Sequence, residues 1–292
     1  MLTLTAHAKI NLFLEVLNKR PDGYHDVVTI MQCVTLADEI TLTRNNSGPE
    51  VVYRNCPACD FHDDIILRAW QALRDAAGRE MNFSATVNKR IPVAAGLGGG
   101  SADAAATLIG LNKLFDLGLT TSVLIGLAAG VGADVPFFLS EGTKHAEGAG
   151  EILRPAPPMP DCEIVIVKPA VDVSTARAYQ DFDDYDEETS APPGTLAKML
   201  GAMAAGDYAA FCATLHNSFE PAIFAKHPRI QEIKDILMAA GADAALMSGS
   251  GSTVFALTRS AEAAANIGRA ARQTGASVYS VKPCNAPVVA ID

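Results

Sequence analysis

The chain has 292 residues, 49% of them apolar, and a formal net charge of −10. That length suits two compact domains, with ample apolar material for their cores. The acidic balance and the lack of any stretch dense in Lys and Arg exclude nucleic acid or an anionic membrane as the main target; a nucleotide stays admissible, because helix N-termini hold phosphate.

Met1-Leu2-Thr3-Leu4-Thr5 leads directly into structured sequence, without the basic stretch and apolar block of a signal peptide. No apolar run reaches the roughly 18 residues of a membrane span. The six cysteines are mostly isolated in apolar surroundings, as reduced thiols are. A cytoplasmic protein is expected. Cys56-Pro57-Ala58-Cys59 with His62 nearby has the elements of a metal or redox pair, but no second pair stands at zinc-ligand spacing. The bland reading, a turn with two close thiols, is preferred.

Alternating and β-branched apolar residues predict strands over 3–17 and 27–43, joined by the turn Arg20-Pro21-Asp22-Gly23. Asp63-Asp64 opens a helix carrying Ile65, Ile66, Ala69, Leu73 and Ala77, which Gly78 stops. A strand is expected over 82–89, then a Gly-rich loop, an Ala-rich helix from Ser101 to about Phe115, and a helix over 121–129. Residues 155–160 hold four prolines and read as a linker. The division is therefore 1–155 and 156–292. Beyond it come a strand over 163–167, an acidic solvated loop over 181–188, and helices over 195–205, 207–215 and 229–240. An apolar run over 244–247, the loop Ser248-Gly249-Ser250-Gly251, a strand over 253–257, a helix over 260–273 and a strand over 277–282 complete the chain. Strands and helices mix without strict alternation, which is the α+β pattern.

The most informative segment is Pro92-Val93-Ala94-Ala95-Gly96-Leu97-Gly98-Gly99-Gly100-Ser101-Ala102. Four glycines within five positions let the main chain turn at positive φ and approach a ligand closely. Ser101 is expected to cap the helix that follows. A helix N-terminus offers unpaired N–H groups and about half a positive charge, so the segment suits a polyphosphate. Taken alone, it is equally a flexible connection with an ordinary cap. No Lys is followed by Ser or Thr, so there is no Walker A loop. Counting from Gly96, the last glycine of a dinucleotide fingerprint is replaced by Ser101.

This segment resembles the phosphate-binding motif of the GHMP kinases. Two further stretches stand in that superfamily's order: Ala8-Lys9-Ile10-Asn11-Leu12 on the first strand, and Met247-Ser248-Gly249-Ser250-Gly251-Ser252 near the end. Two more resemble one branch of it. These are Arg20-Pro21-Asp22-Gly23-Tyr24-His25 and Gly132-Ala133-Asp134-Val135-Pro136-Phe137-Phe138. The resemblance implies a two-domain fold with the active site in the cleft between domains. It implies transfer of the ATP γ-phosphate to the 2-hydroxyl of a cytidine diphosphate-linked methylerythritol, in non-mevalonate isoprenoid synthesis. Its partners would be those two small molecules, in a monomer or homodimer without nucleic acid or membrane. Mg²⁺ would accompany ATP, with Ser101 as a contact.

By the same resemblance Asp134 is the catalytic carboxylate and Lys9 its partner. Phosphoryl transfer asks for a hydroxyl held in line and for relief of charge on the moving group, which such a pair supplies. Taken alone, Asp134 is a turn or cap residue and Lys9 an edge-strand lysine. Asn11 shares a strand face with Lys9. Tyr24 and His25 are expected at the cytosine, with Thr175 and Tyr179 from the later half. Phe182 is the rival of Tyr179, and an ordinary surface helix is the bland reading. Asn217-Ser218-Phe219-Glu220 departs from the N-D-L-E run of relatives, without an assigned role. A GHMP kinase with another acceptor and a non-catalytic sensor are the competing functions.

Overall fold

The structure is a computed structural model that describes residues 1–21, 23–56 and 64–291. The first half contains β1 (Leu2–Lys19), β2 (His25–Arg44), β3 (Glu50–Arg54), β4 (Phe83–Asn88), β5 (Lys144–Glu147) and β6 (Ile152–Pro155). Its helices are α1 (Ile65–Ala77), α2 (Gly99–Leu114) and α3 (Thr121–Val131), with a 3-10 turn over Val135–Leu139. The second half adds β7 (Glu163–Lys168), β8 (His216–Asn217), β9 (Ala244–Met247), β10 (Val254–Thr258), β11 (Ser277–Val281) and β12 (Val288–Ile291). Its helices are α4 (Thr175–Asp183), α5 (Thr195–Ala205), α6 (Tyr208–Cys212), α7 (Glu220–Lys226), α8 (Pro228–Ala239) and α9 (Ala261–Gln273).

The larger sheet runs β12-β1-β2-β4-β3, with β5 and β8 pairing to β2 and β1. β1 and β2 form a long antiparallel hairpin whose register shifts after His7, after Asn11 and after Val16. Such irregularities bend strands and re-aim side chains. The smaller sheet, β11-β7-β10-β9, is antiparallel throughout.

Strand alternation builds three cores. One face of the larger sheet packs Leu4, Met31, Ile40 and Leu42 against α1, α2 and α3. On its other face, Ile10, Leu12 and Ile30 meet Ile164, Ile166 and Phe255 of the smaller sheet. The alternate residues Val165 and Val167 turn to the far side, against Ile230, Ile233 and Ile267 of α8 and α9. Both faces of β7 are thus covered, which is why it reads as an unbroken apolar run. Burying each such side chain is worth about 1.5–3 kcal/mol.

The α2 helix lies tight on the sheet. A β-carbon on Gly110 would come within 2.4 Å of Leu42 Cδ1. Ala102, Ala104, Ala105 and Ala106 are all buried, so small residues set the close approach.

Several expectations are corrected. The Ala-rich helix begins at Gly99, two residues early. Its N-cap is Gly98 in the left-handed region, with no side-chain cap, so Ser101 lies inside the first turn. The acidic stretch from 181 is helical over its first three residues, which end α4, and Asp181 is buried beside Arg177. Amphipathic packing overrides the acidic composition there. The helix expected over 207–215 covers only Tyr208–Cys212. Lys9 is not an edge residue: β2 flanks it on one side, and Leu97 O accepts its N–H at 2.9 Å on the other. β8 and β12 cross back from the second half to pair with β1, which the sequence does not announce. The turn residue Asp22 and the Cys59 and His62 part of the Cys56 reading lie outside the described residues. No described helix is long and apolar enough to cross a membrane.

Candidate active site

A cleft of about 610 Å³ opens where the two halves meet. β1 supplies its floor. Lys9 and Asn11 point into it from one strand face, and both are nearly buried, at 4% and 3% exposure. A lone buried ammonium is costly unless it is partnered. Lys9 Nζ donates to Asn11 Oδ1 at 2.6 Å and lies 3.6 Å from Asp134 Oδ2. Asn11 in turn donates to Thr29 Oγ1 at 2.8 Å, and Thr29 donates to Phe13 O at 2.7 Å. The chain of bonds holds the lysine at one point above the sheet.

Asp134 stands between α3 and the 3-10 turn. It occupies a cap position, yet its side chain caps nothing. It stands in a turn, as the bland reading expects, but its carboxylate is not used as a cap. The following Val135, Pro136, Phe137 and Phe138 are buried and anchor its backbone. The carboxylate itself is 38% exposed toward the cleft. A β-carbon on Gly98 would fall 2.8 Å from Phe138 Cζ and 3.1 Å from Lys9 Cγ. Only glycine lets the Gly-rich loop sit this close to both.

The loop from Pro92 to Ser101 forms one wall. Because Gly98 brings no side-chain acceptor, the first-turn N–H groups of α2 keep none and are left for an anion. The second Gly-rich loop backs the first. Ser248 Oγ donates to Gly96 O at 2.9 Å. Asn217 Nδ2 donates to Met247 O at 2.7 Å and to Gly249 O at 2.8 Å. Glu220 Oε1 accepts from Met247 N at 2.8 Å. The run over 217–220 therefore braces this loop.

Aromatic rings gather at the other end. Tyr24 is 66% exposed and lines the cleft, as do Tyr179 and Thr175. Tyr179 stacks on His25 at 5.0 Å between centroids and 16° between planes, and meets Phe219 edge-on. His25 Nε2 pairs with Asp183 Oδ1 at 2.8 Å, and Lys19 bonds the other oxygen of that carboxylate. Thr175 Oγ1 lies 3.3 Å from Ser250 Oγ, which ties α4 to the second Gly-rich loop. Burial pushes the Tyr179 hydroxyl up to about 12, so it is neutral at physiological pH.

Beneath the first Gly-rich loop lies a buried charge cluster. Lys89 Nζ donates to Asp103 Oδ2 at 2.7 Å and to Asp38 Oδ2. Asp38 Oδ1 also accepts the N–H groups of Arg90 and Ile91. Two carboxylates and one ammonium would leave a buried negative charge. Burial and Asp38 push the Asp103 carboxyl up to about 8, against the pull of Lys89. The raised carboxyl pKa favours an extra proton on the cluster, which brings it toward neutrality.

Residues 64–142 match the GHMP kinases N terminal domain, and residues 199–277 match the GHMP kinases C terminal domain. The 4-diphosphocytidyl-2-C-methyl-D-erythritol kinase of Geobacter metallireducens is 45% identical over 264 residues, 90% of this chain and 91% of its own. That of a Geobacillus species is 42% identical over 259 residues, 88% of each chain. The chain belongs to the 4-diphosphocytidyl-2-C-methyl-D-erythritol kinase family of GHMP kinases. A crystal structure of a 4-(cytidine 5'-diphospho)-2C-methyl-D-erythritol kinase superposes with a TM-score of 0.81 at 32% identity, over 97% of this chain and 99% of that one. A homoserine kinase from Cytophaga hutchinsonii reaches 0.80 at 20% identity, over 99% and 97% of the two chains, and shares the fold.

For a GHMP kinase the cleft assembles most residues the sequence singled out. Lys9, Asn11, Tyr24, Pro92 to Ser101, Asp134, Thr175 and Tyr179 all line it. Ala102 and His25 do not reach its surface. Ala102 is fully buried, and His25 stands behind Tyr179. Sequence reasoning missed Tyr53, Arg68, Lys89 and Asp103 as cleft residues, and Asp183 as the partner of His25. Lys89 carried a signal, a cation closing the strand just before the loop. Asp38 carried none, since its partner Lys89 lies 51 residues away in the chain.

Proposed function

We propose that the protein transfers the γ-phosphate of ATP to the 2-hydroxyl of 4-diphosphocytidyl-2-C-methyl-D-erythritol, in non-mevalonate isoprenoid synthesis. The observation that carries this reading is the placing of Lys9 and Asp134 between the two ends of one cleft. On one side are uncapped helix N–H groups behind a Gly-rich loop; on the other are Tyr24 and Tyr179. The names of relatives at 42–45% identity across most of the chain support the acceptor.

In this reading the α2 N-terminus and the loop amides hold the ATP phosphates. Asp134 accepts the hydrogen bond of the acceptor hydroxyl, holds it in line and takes its proton. The Lys9 ammonium offsets charge on the transferring group, and Asn11 keeps it aimed. Tyr24 and Tyr179 give the cytosine flat apolar faces, and Thr175 contributes a hydroxyl. Ser101 lines the cleft in the first turn of α2 with a hard oxygen donor, which fits Mg²⁺. Bound there with ATP, Mg²⁺ would supply charge neutralisation on the phosphates, which with water would complete its ligands.

An ADP-release assay with Mg-ATP tests the proposal, comparing the cytidine substrate with mevalonate, homoserine and galactose. Turnover on the cytidine substrate alone is expected, with Asp134→Asn folded but slower by roughly 10²–10⁴-fold. Turnover on another acceptor would overturn the substrate. ATP binding without any turnover would mark a sensor.

A further inference from the structure

Three metal-binding side chains from separate segments meet outside the cleft. His7 comes from β1, Cys33 from β2, and Cys284 from the stretch between β11 and β12. Their donor atoms all lie within 4.8 Å of one another. The backbone enforces the meeting. Cys284 N donates to Cys33 O at 2.9 Å, Thr35 N to Lys282 O at 2.9 Å, and His7 N to Pro287 O at 2.8 Å. Val34 and Pro283 form a bridge between the first two of these bonds.

We propose that His7, Cys33 and Cys284 form a binding site for one thiophilic divalent cation of the Zn²⁺ class. Both cysteines are free thiols. Imidazole nitrogen and thiolate sulfur are the ligands Zn²⁺ takes. His7 Nδ1 lies 3.2 Å from Pro287 O. The tautomer that donates there leaves the Nε2 lone pair for a metal, and a carbonyl behind the ring is the usual support of a ligating histidine.

The geometry asks for a modest contraction. Two donors on one tetrahedral ion stand about 3.5 Å apart, given bonds of about 2.0–2.3 Å. The widest pair therefore closes by at most about 1.3 Å. Cys33 is fully buried, while His7 and Cys284 are half-buried, so the site has a back wall and an open side for a fourth, water ligand. Binding turns both thiols into thiolates and releases two protons to solvent. The resulting cation with two thiolates is neutral, which suits a half-buried place. Cys33 is the register partner of Lys9 across the hairpin. The ion would thus clamp the C-terminal stretch to the sheet beside the cleft floor.

The test uses the full chain, reduced and stripped with chelator, and reads no phosphoryl transfer, so it is independent of the proposed function. Cd²⁺ is titrated while thiolate-to-metal charge-transfer absorbance is followed, and Zn²⁺ is added in thermal melts. Cys56 and Cys59 offer a second pair of sulfurs, so variants carry the decision rather than total stoichiometry. In Cys284→Ser and His7→Gln, Cd²⁺ affinity at this site is expected to fall by more than the roughly 10-fold that loss of a supporting residue costs. Zn²⁺ at 100-fold excess over Kd should raise the wild-type Tm by roughly 5 °C and leave Cys284→Ser unmoved. Both positions are half-buried, so these variants should fold even if Cys33→Ser does not. The proposal is overturned if the wild type shows no such absorbance, or if both variants titrate like it. A Cys33–Cys284 disulfide found by peptide mapping of freshly isolated protein would overturn it too.

Discussion

Gly96 and Ser248, 152 residues apart, touch through their backbones: a β-carbon on Gly96 would stand 2.1 Å from the Ser248 carbonyl oxygen. Neither loop can shift without the other. Gly96 also sits at φ +72°, where a side chain costs roughly 1–2 kcal/mol. Both effects fall on the cleft wall proposed to hold the ATP phosphates.

Gly96→Ala is therefore expected to lower kcat/KM for ATP on the order of 100-fold, the effect of displacing a reacting group by about 1 Å. Steady-state kinetics at saturating acceptor measures it. Wild-type kinetics in this variant would mean that the two loops are not rigidly coupled.

The opposite outcome is expected at Gly126, in the exposed middle of α3, at ordinary φ and with open space where a methyl group would stand. Gly126→Ala should stabilise the protein by about 0.4–1 kcal/mol by restricting the unfolded chain. A Tm higher by roughly 1–3 °C with unchanged activity is the reading that agrees.

Asp103 gives a pH dependence. A carboxyl whose folded pKa is raised holds its proton more tightly in the fold than in the unfolded chain. Its contribution to stability is complete below about pH 4 and is lost progressively as pH rises toward about 8. Asp103→Asn keeps an oxygen for Lys89 and puts an amide at Oδ1, which is buried without a hydrogen-bond partner. The variant should flatten the fall of Tm between about pH 4 and 8 and be the more stable protein at pH 8. Parallel Tm–pH curves for the two proteins would show that the cluster does not hold the extra proton.

Tyr179 presents its ring to the cleft with its hydroxyl neutral. A base stacked on an aromatic is worth about 1–3 kcal/mol by alanine substitution. Tyr179→Ala should raise KM for the cytidine substrate about 5- to 150-fold while KM for ATP stays put, and Tyr179→Phe should restore most of it. An equal rise in both KM values would point to a collapsed cleft instead.

What was legible in the sequence follows from what is local. Four glycines before an Ala-rich run mark a loop that opens a helix, whereas Asp134 before Val135-Pro136 reads locally as a turn residue and was singled out only by resemblance. The cap was misplaced because Ser101 is the better capping residue, but the left-handed turn at Gly98 starts the helix earlier. The brace at 217–220 had no visible purpose, since Asn217 acts on carbonyls 30 and 32 residues away. Asp183 looked like one more solvated acid, because neither Lys19 nor His25 is near it in the chain.

The pairing of β12 with β1 bears on how the protein is made. Until residues 288–291 leave the ribosome, the edge of β1 over residues 3–6 has no partner. An unpaired apolar edge is a template for the wrong strand. β1 is thus among the last strands to be finished, so chains interrupted shortly before residue 288 should be the aggregation-prone ones.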